Sequence, residues 1–383
     1  MQLAKLTVAR VSEKPLESTA TLSSSARRLW FCRCHTRSRL YSLSAILVFA
    51  LVGWGLHADR NYWQDAWTQR TLLPHCVSNQ VSAQQIVQPV QFGQRQRRPA
   101  FDFSAITVPV NEIRAGGPPK DGIPALTNPK FVTTRAATYL RPEDRVIGVV
   151  ASDQAKAYPL KILNYHEIIN DRVGDLPVAV TYCPLCDSCA VFDRRTELGE
   201  REFGVSGLLY NSNVLMYDRG GRPESLWSQI MGQGISGPGA RKSLTALPLE
   251  LTTWGDWLSR HPNTRVLSAE TGHRRDYNRS PYGSYFTTPK LMFPVKPSSN
   301  RLPTKSRVLG VWTDSVARAY PESLFVQGRQ RVEDVLDGKR IVIEFNPEAR
   351  SLRVVEADQG VHWMYSLWFA WYAFHPETDV AGR

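Results

Sequence analysis

From residue 105 onward the chain is built of short apolar runs separated by turn residues, with little helical periodicity. Val146–Val150, Val178–Tyr182 and Arg340–Phe345 are rich in β-branched residues, and each predicts a strand. Helical signals are fewer. Thr253, with Asp256 three residues on and Trp254, Trp257 and Leu258 as an apolar face, predicts a capped helix that ends before Pro262. Pro159 suits the first turn of another helix. That helix is expected to carry His166, Glu167, Asn170 and Asp171, with Ile162, His166 and Ile169 on one face. The fold class that follows is α+β, predominantly antiparallel β with few helices, over a globular region at 105–380.

Two segments match without a gap at an offset of 162 residues. Val146–Pro159 reads VIGVVASDQAKAYP and Val308–Pro321 reads VLGVWTDSVARAYP, with seven of fourteen positions identical. Each predicts a strand, a turn at Ser152-Asp153 or Asp314-Ser315, and a second strand. Each is followed by a further strand ending in Tyr182-Cys183-Pro184 or Phe345-Asn346-Pro347. Self-similarity of this kind marks a duplicated β-rich unit, at about 146–186 and 308–349. Gly328 stands opposite His166, and Asn346 and Ala349 stand near the place of the thiols. The scaffold therefore does not require the first copy's His and Cys.

Charge sharpens the domain picture. The chain has 383 residues and a formal net charge of +12, but nine of the twelve excess charges lie in the first 100 residues. The folded part is nearly neutral and shows no nucleic-acid-binding module, so no nucleic-acid partner is expected. Arg27, Arg28, Arg33, Arg37 and Arg39 form a basic tail (1–39) before an uncharged stretch at 40–57. Such a stretch spans about 26 Å, enough for one transmembrane helix. The arginines place the tail in the cytoplasm and the rest outside it. The rival is a cleaved signal peptide, which Leu56-His57-Ala58 fits poorly because Leu56 is bulky. Residues 58–104 read as a stalk. The expected place is a bacterial inner membrane, single-pass, with a periplasmic C-terminal domain. Cys32 and Cys34 would lie in the cytoplasm and Cys76 in the stalk.

Cys183-Pro184-Leu185-Cys186 is the main chemical signal. A helix beginning at Pro184 would aim backbone N–H groups at Cys183 and lower its pKa. A low-pKa thiol followed by a resolving thiol suits redox work, with a small thiol or protein as redox partner. His166 and Glu167 are the candidate proton-handling groups. Two other readings stand beside this one. Cys183, Cys186, Cys189 and His166 could hold copper or zinc, or the pair could form an inert structural disulfide. Asn170, Asp171, Tyr182, Ser206, Tyr217, Asp218, Arg219, Trp227 and Gln229 are candidate pocket residues, a buried polar network being their plainer reading. Gly204-Val205-Ser206-Gly207-Leu208 is no nucleophile elbow, because Leu208 stands where Gly is needed. Gly116–Gly122 lacks the phosphate-loop pattern and reads as a turn.

Taken in order, these motifs resemble a bacterial family, domain of unknown function 3179. The resemblance covers about residues 105–380. It rests on Gly117–Pro124, Ala157–Leu160, His166-Glu167 with Asn170-Asp171, Thr181–Cys186, Phe203–Gly207, Tyr217–Arg219, Ser225–Trp227, Trp368–Trp371 and His375–Thr378. It implies no established reaction. It does imply a kinship with selenoproteins, with selenocysteine at the place of Cys183, and so adds weight to thiol chemistry. Gly220-Gly221-Arg222-Pro223 departs from the family pattern by lengthening a turn, which leaves the placement of Glu224 open.

Overall fold

A computed structural model describes residues 101–382, apart from Gln327 and Arg329. The basic tail, the apolar stretch and the stalk up to residue 100, with Cys32, Cys34 and Cys76, lie outside the described residues. Among the described residues no helix is long and apolar enough to cross a membrane. Strands dominate, with four short α-helices among those residues.

Strand β1 (Arg145–Ala151) pairs antiparallel with β2 (Gln154–Pro159), Ile147 opposite Tyr158. Their link is the two-residue turn Ser152-Asp153, at φ 49° and 59°, the left-handed geometry that matches strand twist. Helix α1 (Leu160–His166) follows. The helix expected to run on to Asp171 stops at His166. Glu167 takes φ 56° and ψ −34° and turns the chain into β3 (Ile168–Val173), so Asn170 and Asp171 lie on a strand. Tertiary pairing decides this, because β3 is completed by the β-branched run of β4 (Leu176–Cys183). Strand β5 (Ser188–Asp193) extends the meander.

A separate sheet holds β6 (Glu202–Tyr210), β7 (Asn213–Arg219) and β8 (Leu226–Ser228). The ladder between β6 and β7 is bulged at Ser206-Gly207. After it come β9 (Glu250–Thr253), α2 (Trp254–Arg260) and β10 (Arg265–Leu267). Thr253 caps α2 by accepting the Asp256 N–H, as expected.

The second half repeats this plan. Strands β11 (Arg307–Trp312) and β12 (Ala317–Pro321) form a hairpin in the register of β1 and β2, Leu309 opposite Tyr320. Helix α3 (Ser323–Val326) leads to the meander of β13 (Arg331–Leu336), β14 (Lys339–Asn346) and β15 (Ser351–Ala357). Then come β16 (His362–Leu367), α4 (Trp368–Phe374) and β17 (Asp379–Val380).

The duplicated unit is larger than 146–186 and 308–349. β9 runs antiparallel to β1 and β10 parallel to β2, as β16 does to β11 and β17 to β12. The helix between carries the same chemistry in each copy. Trp257 lies against Gly148 and Trp371 against Gly310, each so close that a Cβ on the glycine would stand 2.2 Å from the indole. This accounts for the shared Gly in VIGVV and VLGVW. The Trp257 Nε1–H donates to Thr264 Oγ1 at 3.0 Å, and the Trp371 Nε1–H to Thr378 Oγ1 at 2.9 Å. Each ring also lies on a histidine, His261 at 4.0 Å and His375 at 3.9 Å between ring centroids. The Trp-x-x-Trp and His-Pro-x-Thr pattern is thus a second repeat legible in the chain.

The copies exchange partners. The first copy's meander joins the second copy's ladder through β5 and β16, with Cys189 opposite Tyr365. One nine-stranded sheet results, running from the short strand Leu126–Thr127 through β3-β4-β5-β16-β11-β12-β17, with the short strand Ala246–Leu247 also paired to β5. The second copy's meander lies against β9 of the first, where the Thr252 and Ser351 hydroxyls are 3.0 Å apart. The nine-stranded sheet has an apolar cluster on each face. Cys189 belongs to the one containing Tyr158, Tyr182, Tyr320 and Tyr365. Cys183 and Cys186 belong to the other, with Phe203, Trp227 and Trp368.

Candidate functional site

The Cys-Pro-Leu-Cys segment is no helix start. Cys183 closes β4, and Pro184, Leu185, Cys186 and Asp187 make the hairpin loop to β5, with Cys183 paired to Ser188. The Cys186 N–H donates to the Cys183 carbonyl at 3.1 Å, and Asp187 takes φ 46° to complete the reversal. The outcome expected from a helix start is reached by another route. Cys183 Sγ lies 3.8 Å from the Ser212 carbonyl, and the polar groups of Cys186 and the backbone of Cys186, Val214 and Leu185 act on it to favour the thiolate. Burial alone would raise this thiol's pKa, but those groups outweigh it and hold Cys183 below its ordinary value. Cys186 goes the other way, since burial and the neighbouring Cys183 push it well up. Its sulfur lies 3.2 Å from the Ser212 carbonyl, to which it donates.

The duplication supplies an internal control. In the second copy Asn346 closes β14, and the loop Pro347-Glu348-Ala349-Arg350 leads to Ser351. Arg350 has φ 48°, against 46° at Asp187. Asn346 Oδ1 accepts the N–H groups of Glu348 at 2.9 Å and Ala349 at 3.1 Å. These stand two and three residues on, as Leu185 and Cys186 do from Cys183. The turn therefore calls for an acceptor at its first position. In one copy an amide oxygen fills that place; in the other a sulfur does, and a thiolate is the better acceptor.

The loop is braced from behind. Asp187, 2% exposed in its side chain, accepts from Arg145 Nη1 at 2.8 Å, Arg307 Nε at 3.1 Å and the Tyr182 hydroxyl at 3.0 Å. Burial works to raise its carboxyl, and the two guanidiniums reverse this and keep it ionised. Arg145 and Arg307 open the equivalent strands β1 and β11, so both copies meet on this carboxylate. The Leu367 N–H also donates to the Cys186 carbonyl at 2.8 Å.

Glu167 lies within electrostatic range of Cys183, as do Tyr282 and Tyr285. Burial first, then the charge of Cys183, raise the Glu167 carboxyl well above the usual range. The Tyr282 hydroxyl donates to Glu167 Oε1 at 3.4 Å. Its positive φ in a non-glycine residue, with ψ of −34°, is a strained backbone of the kind found at functional sites. His166 is differently engaged. Its Nδ1 is 2.7 Å from the Pro124 carbonyl and its Nε2 2.7 Å from the Tyr277 hydroxyl. A carbonyl partner assigns the proton to Nδ1, so the Tyr277 O–H donates to Nε2. Burial lowers His166 to a pKa of about 4, consistent with this neutral tautomer. It anchors the turn at Glu167 and holds neither thiol.

Other expected residues divide into two groups. Gln229 stands behind Cys186, accepting from Ser188 Oγ at 2.6 Å and Asn213 Nδ2 at 2.8 Å and donating to Thr181 Oγ1 at 3.0 Å. Trp227 packs in the thiol cluster, edge to face with Phe203. Asn170 trades two hydrogen bonds with the Phe203 backbone, tying β3 to β6. Asp171 binds Lys156 and Tyr158, each at 2.8 Å, as Asp334 binds Arg318 and Tyr320, each at 2.7 Å. That repetition makes Asp171 part of the scaffold. Ser206 satisfies the bulge, donating to the Leu215 carbonyl and accepting the Leu208 N–H. Tyr217 and Arg219 bind Asp121, Asp218 accepts the Ser225 N–H at 2.6 Å, and Glu224 pairs with Lys120. These last lock the Gly116–Gly122 turn onto β6 and β7. Cys189, on the other face of the sheet, is not brought to the pair, and neither is His166. Among the described residues no group of three or more His, Cys, Asp or Glu side chains is placed to hold a metal ion.

Three features near the thiols were not foreseen. The tip Asn211-Ser212, with φ 47° and 65°, joins β6 to β7 over the sulfurs. Its signal was present, since a two-residue turn between apolar runs predicts a hairpin. Tyr282 and Tyr285 come from a stretch with no periodicity; the Tyr285 hydroxyl donates to the Leu185 carbonyl at 2.8 Å. A cavity of about 50 Å³ ends on Glu167, Leu185 and Val214, with Leu209, Tyr282 and Met292 among its walls.

No curated protein and no solved structure is significantly similar to the chain. A family model described as "Protein of unknown function (DUF3179)" matches residues 120–365, which include both copies' hairpins and meanders and the Cys-Pro-Leu-Cys loop. Extending over more than half of the chain, the match shows that this protein belongs to the family of domain of unknown function 3179.

Proposed function

We propose that the protein is a thiol-redox protein that works through Cys183 and Cys186. The observation that carries this reading is the placing of two buried thiols of one loop on a single carbonyl, Cys183 Sγ at 3.8 Å and Cys186 Sγ at 3.2 Å from the Ser212 oxygen, with Cys183 held down and Cys186 pushed up. A stabilised thiolate beside a protonated thiol is the arrangement in which one sulfur attacks and the other resolves, leaving a Cys183–Cys186 disulfide. Glu167, whose carboxyl is raised by burial and by Cys183, is the group assigned to supply the proton. The second copy, with Asn346 in the acceptor's place, supports reading Cys183 as more than scaffold. With the apolar stretch 40–57 as a single-pass anchor, this chemistry would take place outside the cytoplasm, in a bacterial periplasm.

The test is the pH dependence of Cys183 alkylation in Cys186→Ser and Cys189→Ser backgrounds, with the reduction potential and metal content of the intact protein. We expect Cys183 to react as a thiolate well below pH 8, with no bound metal. A Cys183 that titrates near the ordinary value of about 8.5 sinks the proposal. Stoichiometric copper or zinc that is lost on Cys183→Ser would replace it with a metal-binding function. A potential below about −300 mV would make the pair an inert disulfide.

A further inference from the structure

The stretch from Gly272 to Arg307 joins the two copies and ends on the first residue of β11. Apolar side chains of this stretch are buried with the thiols, since Tyr285, Phe293 and Leu302 belong to the same cluster as Cys183 and Cys186. The Tyr285 hydroxyl holds the Leu185 carbonyl of the thiol loop. The Lys296 backbone holds the Asn211 side chain through two hydrogen bonds, at 2.8 and 2.9 Å, and so fixes the tip whose Ser212 carbonyl meets both sulfurs. The stretch thus helps to cover a pair of sulfurs that are 1% and 0% exposed. Its charge is one-sided. It carries eight Lys and Arg against a single acid, Asp276, whereas the rest of residues 101–383 carries 26 against 30. Arg274, Arg275, Arg279, Lys290 and Lys296 are exposed. Of the eight, Arg307 alone has a carboxylate within ion-pair distance among the described residues, that of Asp187. By contrast Arg331, Arg340 and Arg353, on the second copy's meander, each pair with a glutamate. The positive charge over the thiols is therefore left without internal partners.

We propose, building on the thiol-redox reading above, that this stretch is the docking surface for an acidic protein partner that carries a disulfide. Exposed, unpaired cations steer an oppositely charged surface on encounter. Phe286 and Met292, both exposed on the same stretch, add apolar contact. An anionic lipid surface would match the charge as well, but the stretch lies over the thiols, and lipid brings nothing that reacts with them. A partner seated here also sits on the Lys296 tie, so docking and uncovering involve the same residues. With the tip raised, the Cys183 thiolate attacks one sulfur of the partner's disulfide. That S–S bond breaks, a mixed disulfide forms, and the partner's second sulfur leaves as a thiolate. Cys186 then attacks the Cys183 sulfur, which forms the Cys183–Cys186 disulfide and releases the partner's first sulfur. The pair has lost two electrons. The partner has gained them and leaves as a dithiol, taking the Cys186 proton and the one that Cys183 had given to solvent.

The test mixes the reduced full-length protein with three synthetic peptides of equal length, each closed by one intramolecular disulfide and flanked by Glu, Gln or Lys, and follows the loss of thiols. At about 20 mM salt the Glu peptide is expected to react roughly tenfold faster than the Gln peptide, with the Lys peptide slowest. At about 500 mM salt the three rates should converge to within about twofold. The double variant Lys290→Glu, Lys296→Glu, at two exposed side chains, should cancel the preference for the Glu peptide. Its rate with the small uncharged hydroxyethyl disulfide should match that of the parent. Equal rates with all three peptides at low salt, or a preference that survives the double variant, would overturn the inference and leave the thiol-redox reading intact. A Cys183 that reacts with no disulfide and titrates at its ordinary value would overturn both. Vesicles of phosphatidylglycerol that shield Lys290 and Lys296 from amine labelling, where phosphatidylcholine vesicles do not, would assign the surface to a membrane and overturn the protein partner.

Discussion

The loops after β4 and β14 share a length of four residues, a left-handed fourth residue and an acceptor at the strand residue just before the loop, yet their surroundings differ. The Cys183 loop lies inside the molecule, under the Asn211-Ser212 tip, its fourth residue an aspartate buried against two arginines. In the Asn346 loop the fourth residue is Arg350, whose side chain is 69% exposed and pairs with Glu322 at 2.6 Å. One backbone design thus serves as a plain turn in water and, when buried, as the seat of Cys183. The seat's backbone N–H groups come with the turn; the chemistry comes from what replaces the amide and what covers it.

The substitution with the largest expected effect exchanges the acceptors. Cys183→Asn should keep the fold, because Asn346 shows an amide oxygen filling that place, while removing at least 99% of thiol reactivity. Cys183→Ala should lose reactivity and also stability, by about 1–3 kcal/mol for each buried N–H left without a partner. Thermal unfolding beside an alkylation assay separates the two. Equal destabilisation by Asn and Ala would break the equivalence of the loops.

Next in size is the brace. Arg145→Ala leaves the Asp187 carboxylate buried with one arginine fewer and should cost about 3–5 kcal/mol. Glu322→Ala, which removes the exposed brace of the other loop, should cost about 1 kcal/mol or less. Urea titration of both variants measures the contrast. The same pair gives a pH signature. Asp187 has a folded pKa below its unfolded value of 3.8, so its contribution is present above that value and is lost as pH falls below it. Stability should drop more steeply with acid below about pH 4 in the parent than in Asp187→Asn.

A last pair of substitutions tests the duplication itself. Gly148→Ala and Gly310→Ala each push a methyl group into an indole face and should cost about 1–3 kcal/mol, by similar amounts. A large difference in unfolding midpoint between them would show that the copies have drifted apart in packing.

Much of this architecture could be read from the chain. The VIGVV and VLGVW runs predict the hairpins, and Thr253 with Asp256 predicts a capped helix. What local pattern could not supply was the outcome of competition. Residues 166–171 have helical spacing, but β4 offers β3 a full ladder, and pairing wins. The Cys-Pro-Leu-Cys segment likewise carries the signal of a helix start, while Ser188–Asp193 is long enough to draw it into a hairpin. His166 looked like the thiol's partner, but its ring is taken by Pro124 and Tyr277. Glu167, its neighbour, is the one whose carboxyl feels the charge of Cys183. Arg307 and Tyr285, which lie more than 90 residues from the loop, carried no sequence signal for their place beside it.

The exchange of partners between the copies sets the order in which the thiol site can be completed. The carbonyl of Cys186 receives the N–H of Leu367, and Asp187 receives the guanidinium of Arg307. On a chain made from its N-terminus, the loop therefore precedes its own supports by more than a hundred residues. Contacts so distant in sequence form late and slowly. A truncated chain ending before β16 would carry both cysteines and lack the means to hold them. The Cys183 loop is tied to strands that are made much later, so its supports are complete only when β11 and β16 are in place.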